Sequence, residues 1–344
     1  MLRCLGRKVD ELAVVTNDAG GFKNINDMPS IIELPRNRTK FLFSTVTNKN
    51  IMGSDIIHDT FGYFLPLGML SKLRMHCKYV TSVYGSSAGW LEKAAEIDYQ
   101  NREEIKQKKY MASRESINAK ISDFIFVNCS NFKEDYVNHY GIDPDNIEII
   151  PNSVIVDENI PPPTERDAKA PFRILHVGNI SKIKGSLLLL EAFNKLTNEK
   201  YAAELTIIGK PVPHDLKYLK NMKNSKVKLL GHVPEERIKE HYIHADVLVH
   251  PSYQEGMPRV IMEALSCGLP VIASDLPGIK SIDSTGKFIR VMKNFEEDTL
   301  TQLIIDDIAR PRKSERFFHE SREHMGGFSP ESTAGRIHGR YMKL

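Results

Sequence analysis

Short apolar, β-branched runs punctuate the chain, and most are followed by a stretch in which apolar residues recur at helical spacing. In the first half the runs fall at 12–16, 41–46, 55–58, 79–83, 124–128 and 147–150. In the second they fall at 172–177, 205–208, 227–230, 247–250, 271–273 and 288–291. Continuous apolar strands that alternate with helices are the pattern of parallel sheets covered on both faces. Between the halves, residues 157–171 bring Pro161, Pro162 and Pro163 together ahead of a charged stretch, which suits neither a core strand nor a helix. The pattern predicts an α/β fold of two doubly wound, Rossmann-like domains, at 1–156 and 172–328, joined by a linker at 157–171 and followed by a closing segment at 329–344. Open sheets of this kind bind ligands at the carboxyl ends of their strands.

The start of the chain departs from that plan. A helix-like stretch at 1–8 precedes the strand at 12–16, where a doubly wound domain would open with a strand and a glycine-rich turn. Gly20 and Gly21 follow the later strand without a GxGxxG context, so the N-terminal domain is expected to lack its first strand. The polar segment 90–120 carries seven basic residues (Lys93, Arg102, Lys106, Lys108, Lys109, Arg114, Lys120) and reads as a helix or helix pair. Two readings stand for it: a solvated face, or contact with a membrane surface or an anionic acceptor.

Composition narrows the classes. A chain of 344 residues with 41% apolar and 26% charged residues has material for two cores. Lys and Arg total 47 against 44 for Asp and Glu, a net charge of +3 that argues against a nucleic-acid binder. Cys4, Cys77, Cys129 and Cys267 lie far apart with no CxxC, so neither a disulfide framework nor a zinc site is expected, and a reducing cytosol is the natural setting. No apolar run approaches ~18 residues, and the first residues lack the apolar core of a signal peptide. The expectation is a cytoplasmic protein, with peripheral contact at the inner membrane face as one option.

The most informative stretch is VLVHPSYQEGMPRVIMEALSCGLPVIAS at 247–274. It reads as a strand, a tight loop at 252–256, a helix with Pro258 in its first turn, a stop at Gly268, and another strand. The loop would offer backbone N–H groups of Gly256, Met257 and Arg259 at a helix N-terminus, an anion site. Glu255 and Glu263 frame it, eight residues apart. An acid at a helix start and a second acid on a solvated face is the plain reading. Against it, Glu263 lies in an apolar run, and a buried carboxylate needs hydroxyl or N–H partners such as those of a sugar or ribose. A second cluster, 176–185, holds Gly178, Asn179 and a Lys184-Gly185 pair just before a helix starting near Ser186, where an ammonium could meet a diphosphate. Gly209-Lys210 and Gly231-His232 end two further strands at the same sheet edge. No GxGxxG follows a strand, which sets an NAD enzyme aside.

These segments resemble the donor-binding domain of retaining GT-B glycosyltransferases of the GT4 type, whose hallmark is two glutamates separated by seven residues, here Glu255-GMPRVIM-Glu263. The resemblance covers 172–291 and extends more loosely over 54–154. It implies two domains facing a cleft, and a C-terminal helix that crosses back to the first domain. By that resemblance Glu263 binds the donor ribose and Glu255 a hydroxyl of the transferred sugar. Lys184 stabilises the departing diphosphate, and the N–H groups of Gly256 and Met257 hold sugar and phosphate oxygens. Gly209 and His232 line the nucleotide pocket, and Gly178, Asn179, Lys210, Ser252, Pro258 and Arg259 complete the donor site. The implied reaction is transfer from a UDP- or GDP-sugar to a saccharide or lipid-linked acceptor, with retention, no metal and no cofactor. Asn179 stands where the family commonly has Arg. Tyr84, the implied acceptor-domain catalytic residue, stands where it commonly has His, and a phenol is a poor base near pH ~7. A degenerate protein that binds nucleotide-sugar or a partner without turnover, or an epimerase or phosphorylase on this fold, is the alternative.

Overall fold

The computed structural model describes residues 13–16, 30–33, 54–59, 68–69, 77–164, 167, 169–215 and 224–344. Its first strands are β1 (Ala13–Thr16), β2 (Ser30–Glu33), β3 (Ile56–Asp59) and β4 (Lys78–Val83). Helices α1 (Ser87–Glu96) and α2 (Arg102–Ile121) follow, then β5 (Phe124–Val127), α3 (Ser130–Tyr140) and β6 (Ile147–Ile149). The second half runs β7 (Phe172–Val177), α4 (Ser186–Asn198), β8 (Ala203–Ile208), β9 (Val227–Gly231), α5 (Glu235–His244) and β10 (Val247–His250). It continues with α6 (Arg259–Ser266), β11 (Val271–Ser274), α7 (Pro277–Lys280), β12 (Ile289–Met292), α8 (Glu297–Ala309), α9 (Glu315–Gly326) and α10 (Pro330–Tyr341).

The chain divides into two compact units. The first holds the described residues up to Leu91, with Glu103–Ser153 and Pro330–Leu344; the second holds Glu92–Arg102 and Val154–Ser329. In the first unit, β3-β4-β5-β6 form a parallel sheet in that order, while β1 and β2 pair in a separate parallel ribbon. The predicted strand at 41–46, the helix at 1–8, the Gly20-Gly21 turn and the missing opening strand fall outside the described residues. The pattern did not predict β2: Ile31 and Ile32 alone make too short an apolar run to stand out. The basic segment resolves as the pair α1 and α2. Helix α10 closes one face of this sheet, with Ala334 and Ile337 packed against Val80, Phe124, Phe126 and Ile150.

The second unit is a six-stranded parallel sheet in the order β12-β11-β10-β7-β8-β9. The chain moves outward from β7 through β8 to β9, then returns to β10 on the other side of β7 and proceeds outward again. The reversal lies between β7 and β10, the switch point at which doubly wound sheets take ligands. Successive strand residues supply opposite cores, since strand side chains alternate. Ile174, Val247 and Val249 pack with Leu189, Phe193 and Ile304 on one face. Leu175 and Leu248 pack with Met262, Leu265 and Phe318 on the other. Both faces are therefore dry, which is why these strands read as unbroken apolar runs. Residues 157–164 have no regular structure, yet Ile160 is buried, the Asp157 carbonyl accepts from Arg322 at 2.8 Å and its carboxylate meets Lys239 Nζ at 2.5 Å.

At the carboxyl edge of this sheet the strand ends are locked by glycine. Gly178 N–H donates to the Ile208 carbonyl and Gly209 N–H to that of Gly231, at 2.9 and 2.8 Å. Gly209 has φ +149°, and a Cβ there would lie 1.9 Å from the Gly178 carbonyl oxygen. Gly209→Ala is expected to destabilise the chain by about 2 kcal/mol or more through strain and backbone collision. Thermal melting checks this, and a wild-type midpoint in the variant would contradict it.

Candidate functional site

Two loops leave the sheet at the reversal: 178–185 connects β7 to α4, and 251–258 connects β10 to α6. Because β7 and β10 are neighbours, the loops run side by side, and specific contacts fasten them. The Ile183 carbonyl accepts from Tyr253 N–H at 2.9 Å and from the Ser252 hydroxyl at 3.2 Å. Gly185 sits left-handed at φ +67°, with its α-carbon pressed so closely to Pro251 that a Cβ would lie 1.9 Å from the Pro251 carbonyl oxygen. Only glycine permits that approach. Lys184 is held between these two anchors, and its side chain reaches across to the other loop.

There Lys184 Nζ donates to Glu255 Oε1 at 2.6 Å, and His250 Nε2 lies 2.9 Å from the same oxygen. The Glu255 side chain is only 13% exposed and that of Lys184 34%. Burial alone would raise the Glu255 pKa, but the Lys184 charge and the His250 hydrogen bond outweigh it and hold the carboxyl at about 2. An ionised carboxylate only accepts, so His250 Nε2 carries a hydrogen. Behind it the His250 ring stacks on His176, with centroids 6.1 Å apart and planes 21° from parallel. His176 Nδ1 donates to the Val249 carbonyl at 2.9 Å, which leaves Nε2 to accept from the Ser186 hydroxyl at 3.0 Å. Complete burial, with the neighbouring His250, lowers the His176 pKa to about 4.

Helix α6 carries the second glutamate. Glu263 accepts from the Tyr242 hydroxyl at 3.1 Å and pairs with Arg259 at 3.4 Å. Burial and the Glu263 charge push the Tyr242 phenol upward, so it remains a donor. Glu263 is 27% exposed rather than buried: Ile261, Met262, Ala264 and Leu265 take the helix face toward the core, and Glu263 sits at its margin. The two glutamates thus have different partners. Arg259 is exposed and reaches Glu263 and, at 3.6 Å, Glu235.

The other expected positions separate clearly. Gly178, Asn179, Gly209 and Lys210 follow β7 and β8 directly, Asn179 and Lys210 exposed, and exposed His232 follows β9. Gly256, Met257 and Pro258 are buried in the tight loop, with the Met257 side chain in the core beneath α6. Ser252 is fully buried with its hydroxyl directed at the Ile183 and Gln254 carbonyls, so it fastens the two loops. One reading needs correction. Pro258, at φ −70° and ψ 119°, caps α6 from outside, and the helix opens at Arg259. Tyr84 belongs to the first unit, one residue past β4; it is 43% exposed, and partial desolvation raises its phenol, which stays protonated near neutrality.

Sequence reasoning missed His250, His176, Ser186 and Tyr242. The available signal was polar: a histidine within each of two otherwise apolar strands calls for a buried partner. It also missed a group in the first unit, where His58 Nε2 meets Ser82 Oγ at 2.6 Å and Nδ1 meets the Tyr341 hydroxyl of α10 at 2.5 Å. Among the described residues, no three His, Cys, Asp or Glu side chains group to hold a metal ion, and no helix is long and apolar enough to cross a membrane.

The second unit is a doubly wound sheet with a charged pair at its switch point, the place where such sheets take ligands, and comparison with known proteins supplies the family. A family model described as Glycosyl transferases group 1 matches residues 171–306, and one described as Glycosyltransferase Family 4 matches residues 1–158. The chain belongs to these group 1, GT4-type glycosyltransferases. It is 26% identical over 196 residues to the phosphatidylinositol N-acetylglucosaminyltransferase gpi3 subunit of Schizosaccharomyces pombe, covering 56% of this chain and 43% of that protein. It is 29% identical over 214 residues to the D-inositol 3-phosphate glycosyltransferase of Xylanimonas cellulosilytica, covering 56% and 51%. The chain therefore spans about half the length of the curated relatives it matches. In fold it is similar to sucrose-phosphate synthase from Thermosynechococcus elongatus, with a TM-score of 0.74, 19% identity, and coverage of 100% of this chain and 91% of that one. It is likewise similar to Anabaena HepE in complex with UDP-glucose, with a TM-score of 0.75, 16% identity, and coverage of 100% and 95%. These structures belong to the GT-B fold.

The lowered pKa of His176 makes stability pH-dependent. The unfolded chain takes up this proton below about pH 6.5, whereas the folded chain refuses it until about pH 4. Its contribution is complete above the upper value and lost as pH falls through the window, on the order of 2–3 kcal/mol. The drop in melting temperature between about pH 7.5 and about pH 4.5 is expected to be smaller in His176→Asn than in the wild type. Equal drops would contradict the assignment.

Proposed function

We propose that the chain is a nucleotide-sugar-dependent glycosyltransferase that moves a sugar from a UDP- or GDP-sugar to a saccharide or lipid-linked acceptor, with retention and without a divalent metal. The observation that carries this reading is the Lys184–Glu255–His250 group at the β7–β10 switch point, beside the N-terminus of α6. Lys184 supplies positive charge to the departing diphosphate, and the N–H groups around Gly256 and Met257 at the α6 end add partial positive charge. Glu255, kept ionised, accepts from a hydroxyl of the transferred sugar. Glu263 accepts from the ribose, with Tyr242 and Arg259 fixing it from the sides.

Glu255 Oε1 already accepts two hydrogen bonds, which suits a carboxylate that holds a hydroxyl better than one that attacks carbon. Transfer then proceeds on one face of the sugar. The bond from the anomeric carbon to the diphosphate oxygen breaks, the acceptor oxygen bonds to that carbon, and the acceptor proton passes to the departing phosphate. Gly178, Asn179, Gly209, Lys210 and His232, along the carboxyl edge of the sheet, form the nucleotide side of the site. Tyr84 in the first unit serves as a hydrogen-bond donor to the acceptor. Two relatives are named for phosphatidylinositol and for D-inositol 3-phosphate, so inositol phosphates and phosphoinositides are the first acceptors to test. The basic α1–α2 pair suits such an anionic acceptor, at the cytosolic face of a membrane.

A panel of UDP-sugars, GDP-sugars and their free diphosphates should raise the melting temperature for one base and not the other. Glu255→Gln should keep its fold and lose at least about 10-fold in transfer, the equivalent of ~1.4 kcal/mol of transition-state contact. An unchanged rate at saturating donor would overturn its role, and donor binding without transfer to any acceptor would favour a binding protein.

A further inference from the structure

We infer that His250 is a positioning residue for Glu255: its Nε2–H is a fixed hydrogen bond that helps to keep this carboxylate in place when a donor diphosphate draws Lys184 away. The inference rests on the reading of Lys184 and Glu255 as donor-site residues.

Lys184 and His250 donate to the same oxygen, at 2.6 and 2.9 Å, but they are not equivalent. Lys184 has a flexible, 34% exposed side chain on a loop, and a single ammonium cannot serve a carboxylate and a diphosphate at full strength. His250 ends a strand flanked by β7 and β11, its side chain is 3% exposed, and its ring is backed by His176. It cannot follow a ligand. Once Lys184 turns to the diphosphate, Glu255 is a largely desolvated carboxylate, and burial then works to protonate it. A protonated Glu255 would donate where it must accept. The His250 N–H opposes both the protonation and any rotation of the carboxyl group.

The other nitrogen of His250 supports this reading. Nδ1 is buried and has no hydrogen-bond partner among the described residues. The preceding strand residues, Val247, Leu248 and Val249, are all apolar, and a leucine after them would avoid an unpaired buried nitrogen. A histidine kept only for packing is therefore the costlier choice. What it adds is the hydrogen bond to Glu255. The titratable groups that face this carboxylate are His250 on β10, Lys184 ahead of α4, and His176 on β7 behind the His250 ring.

The test compares His250→Leu with His250→Gln, whose amide N–H can restore the lost bond. With the donor sugar identified by the binding panel, His250→Leu is expected to lower kcat about 10- to 100-fold with little change in donor KM, the loss typical of a hydrogen bond to a charged group. The acid limb of its pH–rate profile should move up toward the ordinary carboxylate range, while its unliganded melting temperature stays at or above that of the wild type. His250→Gln should recover to within about 3-fold and restore the acid limb. Wild-type kcat and an unmoved acid limb in an active His250→Leu variant overturn the inference alone. A wild-type chain that transfers no sugar from any donor overturns the functional reading, and the inference with it. Should His250→Leu misfold, histidine-selective nitrogen NMR of the wild type decides: a proton on Nε2 that responds to Glu255→Gln supports the inference, and a proton on Nδ1 alone refutes it.

Discussion

A carboxylate withdrawn from water stays charged only when the protein replaces what water supplied, and for Glu255 the replacement comes from Lys184 and His250. Lys184 is 71 residues away in the chain, whereas His250, five residues before Glu255, ends the strand from which the loop departs. The arrangement exists because the sheet order sets β7 beside β10 and because the loops after them are fastened by the Ile183 carbonyl and by Gly185. A side chain at Gly185 would drive those loops apart. The charge at the switch point and the bare backbone beneath it are one feature.

Much of this was legible in the chain. The runs at 172–177 and 247–250 coincide with β7 and β10, since strands buried on both faces leave an unbroken apolar signature. Gly178, Gly209 and Gly231 all take positive φ at the ends of neighbouring strands, where sequence alone set three glycine-terminated strands on one edge. Lys184 and Glu255, expected from separate motifs, meet directly. What escaped depends on contacts between distant segments. The stacking of His176 on His250 requires strands 73 residues apart to be neighbours, and no local pattern encodes that. Tyr242 lies on a polar helix whose role appears only once α5 stands beside α6. The hydroxyl of Ser252 fastens the loop after β10 to the Ile183 carbonyl, a contact between segments that no local pattern announces.

The two units share a device at the ends of their strands. In each, a histidine with both ring nitrogens engaged links a strand end to another element: His176 joins β7 to β10 and α4, and His58 joins β3 to β4 and α10. Burial lowers both to about 4, so both remain uncharged at neutral pH. Their hydrogen bonds fix geometry without adding charge to the sites they support. His250 differs, because one of its nitrogens has no partner among the described residues while the other faces an ionised group. That asymmetry sets His250 apart from the two histidines that brace the fold.

In the proposed function, Lys184 and Glu255 hold an activated sugar between them. The most direct measurement is a crystal structure with an intact UDP- or GDP-sugar bound. In that complex Lys184 Nζ is expected to leave Glu255 for a diphosphate oxygen, while the carboxylate takes a sugar hydroxyl and keeps its bond to His250. A nucleotide sugar bound away from these loops, with the lysine–glutamate pair still closed, would contradict it.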